Sequence, residues 1–349
     1  MEVISDFQIS VVIPTLKRYV TLRKLINDLL IIGNVIQEII VVDSTDENER
    51  QDLMHLKKVI QIKTSHKNGL YQRFLGSRLA KNDWVLFLDN DMELLDASLF
   101  NNLDDYLSIV GISGIAIKFI DKHQDTSLNS IPKSKFKKDS LFFKAKGFLT
   151  GYPVLPTGKY GYCGLRGRQP STFSKTEWLS GGAFLAKKEM VFKLLNFQSL
   201  DLFEKKLGMG EDPLIGYMLS KQGDLYYYPI LTFYHNDQKD SAYSIDLFNY
   251  GKRVVFSRLF LSLEKARLDN KSLILAHFYY HWHTVFRLFG LLISFFIERS
   301  DGNSQMFFGG IKGWLLTFKY NYVYSESDKI KWVAIANHDI DSFKTAQNN

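Results

Sequence analysis

Two carboxylates around one amide, Asp89 and Asp91 flanking Asn90, close the apolar run "WVLFLDND". Carboxylates at this spacing suit two chemistries. A hard divalent cation takes oxygen ligands, keeps several waters and completes its shell with substrate phosphates. A phosphatase instead uses the first aspartate as nucleophile and is expected to carry the pair on its first strand. Here the pair follows the fourth predicted strand and precedes Met92-Glu93, which favours metal binding. Other chemistry-bearing groups stand at comparable points. Asp43 follows "EIIVV", Glu211 and Asp212 open "EDPLIGYML", and His235 ends "TFYH". An aspartate ahead of Pro213 also suits a helix cap, so Asp212 has a structural reading beside a catalytic one.

The elements that must position these groups follow from hydrophobic periodicity. Residues 9 to 13, "ISVVI", read as a doubly buried strand halted at Pro14. Leu22, Leu25, Ile26, Leu29 and Leu30 recur at helical spacing, and a second strand runs into Asp43. A third unit has the strand "VIQIKT", a helix across "YQRFLGSRLAKN", and the strand leading to Asp89. Such alternation predicts a parallel sheet wound by helices, with ligands bound beyond the carboxyl ends of its strands. Residues 121 to 175 read as a long insertion, with Lys133, Lys135, Lys137, Lys138, Lys144 and Lys146 among Phe136, Phe142 and Phe143. Long insertions of this kind are either solvated loops or mobile walls beside a ligand. Order returns with the glycine pair of "WLSGGAFLAKKEM", the helix "GMGEDPLIGYMLSKQG" and the strand-like "DLYYYPILTFYH".

Composition narrows the class. At 349 residues, 46% hydrophobic and 23% charged, the chain buries a large core and is not disordered. A net charge of +7 suits a phosphate-bearing partner without choosing among nucleotide, lipid and nucleic acid. The single cysteine, Cys163, excludes an internal disulfide framework and a cysteine-rich zinc site. The opening "MEVISDFQISVVIPTLKR" lacks a basic leader followed by a long apolar segment, so a cytoplasmic location is expected. The turn "PTLKR" has no glycine fingerprint, which argues against a dinucleotide-dependent oxidoreductase.

The order of these motifs, over roughly residues 8 to 240, resembles the family 2 glycosyltransferases, enzymes of the GT-A fold. "SVVIPTLKR" is similar to that family's first strand and Pro-Thr turn, "IIVVDSTDE" to its nucleotide-contacting segment, and "RFLGSRLAKNDWVLFLDND" to its helix entering the D-x-D strand. "WLSGGAFLAKKE" resembles the acceptor loop and "GMGEDPLIGYML" the acidic motif. The resemblance implies that Asp43 contacts base or ribose beside Pro14 and Thr15, with Arg73, Asp89 and Asn90 around the sugar nucleotide. It implies that Asp91 and His235 hold Mn2+ or Mg2+, that Asp212 with Glu211 serves catalysis, and that Gly181, Gly182 and Trp178 meet the acceptor. Phe74 stands where the family has asparagine, and Ser44-Thr45 where it has an acidic-glycine-serine turn, which leaves the donor open.

The implied activity is inverting transfer from a nucleotide-diphosphate sugar, a UDP-sugar by preference, to a hydroxyl of a glycan or lipid-linked acceptor in cell-surface polysaccharide synthesis. No nucleic-acid partner is implied. A non-catalytic sugar-nucleotide or polysaccharide binder on the same fold is the main alternative, and a metal-dependent phosphatase a remote one. Residues 1–240 are expected to form the catalytic domain and 241–349 a helical region. Within the latter, "LILAHFYYHWHTVFRLFGLLISFFI" is interrupted by Arg287 and three histidines. That stretch, with Lys312, Trp314 and Lys319, reads as a helix lying in the membrane interface rather than a span, which would place the protein peripherally on the inner face of the plasma membrane.

Overall fold

The structure, a computed structural model, describes residues 7–121, 141–194, 197–236, 246–298, 301–320 and 326–348. The strands are β1 (Ile9–Thr15), β2 (Ile36–Asp43), β3 (Val59–Lys63), β4 (Trp84–Leu88), β5 (Met92–Leu94), β6 (Ile112–Asp121), β7 (Ser174–Lys175), β8 (Ala183–Lys187) and β9 (Asp224–His235). They form one sheet in the order β3-β2-β1-β4-β8-β6-β9-β5, with β7 on β9. The first four strands run parallel, and β8 then enters antiparallel between β4 and β6. The sheet is therefore mixed, and its parallel half is the part the sequence alternation describes.

Helices cover both faces, which is why β1 is apolar at nearly every position. Val12 packs on one side with Phe74 and Phe87, while Val11 and Ile13 pack on the other with Leu22, Leu25 and Leu29. The helices of this body are α1 (Tyr19–Ile31), α2 (Gly69–Leu79), α3 (Ser98–Asn101), α4 (Leu103–Leu107), α5 (Leu141–Leu149), α6 (Lys188–Leu194), α7 (Phe197–Glu204) and α8 (Glu211–Gln222). A Cβ at Gly76 of α2 would lie 2.4 Å from Val12 Cγ1, so glycine sets how closely that helix approaches the sheet. Four longer helices follow: α9 (Leu247–Leu268), α10 (Leu273–Glu298), α11 (Asp301–Thr317) and α12 (Glu326–Asn348).

Two expectations change. The insertion after residue 121 is not all loop, because α5 lies within it; Lys133, Lys135, Phe136, Lys137 and Lys138 fall outside the described residues, as do the side chains of Phe142, Phe143 and Lys146. The last helix also returns to the sheet. Trp332, Ala336 and Ile340 recur every four residues on one face of α12 and join the core that holds Tyr71 and Phe74. Asp339 accepts from Thr64 Oγ1 at 2.8 Å and Tyr71 Oη at 2.9 Å.

Candidate active site

The parallel half of the sheet opens where β1 and β4 part. Their pairing ends at Val12 and Phe87, whereas β1 stays paired with β2 as far as Thr15 and Asp43. The chain runs outward to β2 and β3 and returns on the other side of β1 as β4, so the crevice between β1 and β4 is a topological switch point. Two side-chain bridges cross it. Asn90 Nδ2 donates to the Lys17 carbonyl at 3.3 Å, and the Arg18 guanidinium pairs with Asp91 Oδ2. Lys17 and Arg18 carry φ of 62° and 60°, a left-handed turn that is uncommon without glycine. Lys17 N is tied to Thr45 Oγ1 at 2.7 Å.

Strand register explains why His235 meets Asp91. β5 pairs antiparallel with β9, Met92 opposite His235, and Asn236 N donates to the Asp91 carbonyl at 2.9 Å. His235 Nε2 then lies 3.3 Å from Asp91 Oδ1. This is an ion-pair contact without hydrogen-bond geometry, and Asp91 Oδ1 is buried with no hydrogen-bond partner. Burial opposes ionisation of Asp91, but His235 and then Arg18 outweigh it and hold the carboxyl below its ordinary range. A charged oxygen and an imidazole nitrogen at one strand edge fit a divalent cation that takes its remaining ligands from phosphate and water. Among the described residues no cluster of three or more such side chains exists, so the protein alone supplies a partial shell.

The second centre is built on Arg73 in α2. Its Nη2 donates to Asp89 Oδ1 at 2.7 Å and to the Gly181 carbonyl at 3.2 Å, while Nη1 reaches Asp212 Oδ1 at 3.3 Å. Asp89 is beside the glycine pair because the β4–β8 ladder continues past Leu88, with Asp89 N donating to Gly182 O at 3.0 Å. Burial works against the Arg73 charge, yet Asp89, Asp212 and Glu211 together raise its pKa. Burial raises the Asp212 pKa, with Arg73 pulling back. Glu211, partly buried beside Asp212, is pushed up to about 8 by loss of solvent and then by the Asp212 charge.

The reading of Asp212 as a helix cap is corrected. Gly210, in the left-handed region, occupies the cap position without a side-chain bond, and Asp212 is the second residue of α8. Its carboxylate is free to face Gly181, where a Cβ would stand 2.0 Å from Asp212 Oδ2. The space over Gly182 is filled by Met92 and Phe119. Trp178 is 7% exposed, clustered with Tyr160 and Tyr217 under the Arg166 guanidinium.

Asp43 has no exposed surface. Its oxygens accept from Tyr19 Oη at 2.7 Å, Gln61 Nε2 at 2.8 Å and Thr45 N at 2.9 Å, so it braces the turn that faces Lys17. Pro14 pairs with Val42 in the ladder, and the Thr15 carbonyl accepts from Ser44 N and Gln72 Nε2, each at 2.9 Å. Arg73, expected near the nucleotide, has its guanidinium on the Asp89 and Asp212 carboxylates. Arg18, Gln72 and Arg166 were not singled out from sequence. The basic turn "PTLKR" after the first strand carried the only signal for Arg18.

Residues 10–155 match the family model described as glycosyl transferase family 2. Over that segment the chain is similar to that family. No curated protein matches. Among solved structures, the chain is similar to the crystal structure of S. aureus TarS 1-349, with 14% identity, a TM-score of 0.49, and coverage of 98% of this chain and 90% of that one. It is also similar to the mannosyltransferase PcManGT from Pyrobaculum calidifontis in complex with GDP-Man and Mn2+. There the identity is 12% and the TM-score 0.50, with 97% of this chain and 86% of that one covered, a likeness of fold. The GT-A-like sheet carries Asp89 and Asp91 just after β4 and His235 at the end of β9, and α8 brings Asp212 to Arg73.

Proposed function

We propose that the protein moves a sugar from a nucleotide-diphosphate donor, a UDP-sugar first among those to test, to a hydroxyl of a glycan or lipid-linked acceptor, inverting the anomeric centre. The observation that carries this reading is the Arg73 guanidinium gripping Asp89 and Asp212 together, with Asp89 two positions from Asp91 of the Asp91–His235 pair. The fold neighbour solved with GDP-Man and Mn2+ supports a donor and metal of this kind.

Asp91 and His235 would hold Mn2+ or Mg2+, which supplies Lewis-acid charge to a departing diphosphate. Asp212 acts as base. Arg73 occupies Oδ1, and the bare Cα of Gly181 leaves Oδ2 room to accept the proton of an attacking hydroxyl. Its raised pKa makes it a stronger base than an ordinary carboxylate. One base suffices for a single inverting displacement, because a nucleoside diphosphate leaves without the acid that glycoside hydrolysis requires.

The reading also places the protein on the inner face of the plasma membrane, in cell-surface polysaccharide assembly. No described helix is long and apolar enough to cross a membrane. Support for interfacial contact comes from α10, whose Ile274, Phe278, Val285, Phe289, Ile293 and Phe296 are all exposed.

Activity is tested by incubating the protein with a panel of nucleotide sugars, Mn2+ and candidate glycan acceptors, and following nucleoside diphosphate release. Wild type should turn over one donor class, with Asp212→Asn retaining donor binding and losing release. Donor binding without release in wild type would favour a binding protein instead.

A further inference from the structure

A second basic centre lies between α9 and α10, away from the carboxylates. Arg258 Nη1 donates to the Cys163 carbonyl at 3.0 Å and to His283 Nε2 at 2.8 Å. His283 turns its Nδ1–H to the Gly151 carbonyl, which fixes Nε2 as the acceptor and the ring as neutral. Burial and then Arg258 push its pKa down to about 4. Arg287 stands four residues on, on the same face of α10. After burial, its charge is the next cause that lowers the Arg258 pKa. Each arginine has a buried Nε without a hydrogen-bond partner, and so does the hydroxyl of Tyr160, a residue 3% exposed.

Among the described residues neither guanidinium forms an ion pair with a carboxylate. The contrast within the protein is plain: Arg73 has Asp89 and Asp212, and Lys265 has Asp269 at 2.7 Å. Neighbouring cations whose buried donors are left unsatisfied are costly unless an anion completes them. From this we propose that Arg258, Arg287 and the Tyr160 hydroxyl bind a phosphate or diphosphate group carried by the acceptor. The guanidinium fork matches phosphate oxygens. The Tyr160 ring lies 5.0 Å from that of Tyr217, tilted against it, in the Trp178 cluster under Arg166, whose charge is felt by Asp212. Arg166 acts on both Asp212 and Tyr160, Arg258 acts on Tyr160, and Arg287 of α10 acts on Arg258, so the three cations link the proposed base to α10. An acceptor lying along them presents its phosphate to the arginines and its hydroxyl to Asp212.

The acceptor role rests on the glycosyl-transfer reading, whereas anion binding does not, and the test separates them. Calorimetry on the full chain, with EDTA present to keep metal from the donor site, measures binding of inorganic pyrophosphate. Arg287→Gln should weaken it by about tenfold or more, and Arg258→Gln likewise if it folds, while Asp91→Ala binds as wild type. Unchanged binding in Arg287→Gln, loss in Asp91→Ala, or no binding in wild type overturns the proposal. Sedimentation with phosphatidylcholine vesicles containing phosphatidic acid assigns the source: Arg287-dependent pelleting means a lipid-borne phosphate, and pyrophosphate binding without pelleting a soluble one. Intact pyrophosphate binding in a protein that transfers no sugar would leave the anion site standing and remove only its acceptor role.

Discussion

Arg73 joins two of the site's carboxylates, donating to both Asp89 and Asp212. Removing the proposed base should be the most damaging conservative change: Asp212→Asn is expected to cut kcat by about 10²–10⁴, with donor affinity retained in calorimetry. Glu211 makes a different prediction. Folding raises its pKa from 4.5 to about 8, through burial and then Asp212. A carboxyl raised in this way binds its proton more tightly when folded, so its contribution is fully present below 4.5 and lost as pH rises to about 8. Calorimetric unfolding of Glu211→Gln should therefore show a flatter decline in Tm over that window than wild type; a parallel decline would remove Glu211 from the account. At this scale Asp89, Asp91 and His235 were legible because an acid or histidine ending an apolar run is conspicuous, and Asp212 because it opens a helix ahead of Pro213. It did not expose Arg18, whose partner lies 73 residues away and whose direction depends on a left-handed turn. Nor did it show that Asp43 would be sealed by Tyr19 and Gln61, since burial of a polar group is a property of its neighbours.

Strands and helices set the distances between these groups, and glycines set how closely the elements approach. Gly181→Ala would put a methyl group 2.0 Å from the Asp212 carboxylate, which must rotate away from its position beside Arg73. The variant should fold with wild-type circular dichroism and lose most of its turnover. Where the obstacle is backbone, stability falls instead. A Cβ at Gly309 would lie 2.0 Å from the Phe248 carbonyl oxygen and one at Gly313 2.4 Å from that of Lys252, so α9 and α11 touch only because both positions are bare. Gly309→Ala should cost about 1–3 kcal/mol in denaturant unfolding. The βαβ alternation and α8 were legible because doubly buried strands and a glycine before an acidic first turn leave local signals. The antiparallel entry of β8 between β4 and β6 was not, since pairing partners far apart in sequence leave none.

The whole molecule joins an α/β body to four long helices, and these have different tasks. The helix α12 is part of the body: Trp332 is 1% exposed, and its Nε1 donates to Asp201 at 3.0 Å. Trp332→Ala should destabilise by about 3–5 kcal/mol without touching the site. The helix α10 has an apolar face with nothing over it among the described residues, Ile274 being 82% and Phe296 68% exposed. Replacing Phe278, Phe289 and Phe296 by serine should lower pelleting with anionic vesicles while leaving Tm unchanged; undiminished pelleting would remove the interfacial role. The charges in the tail stretch, Arg287 and the histidines, argued against a span from sequence alone. That α12 folds back was hidden, because an apolar stripe at helical spacing does not say what it packs on. The central claim is the proposed cation-assisted donor site beyond the end of β4, and one measurement reaches it directly. Titrating UDP and GDP into wild type and Asp91→Ala by calorimetry, with and without Mn2+, should show tight Mn2+-dependent binding of one nucleotide in wild type that Asp91→Ala loses. Equal binding by both proteins, or binding indifferent to Mn2+, would contradict it.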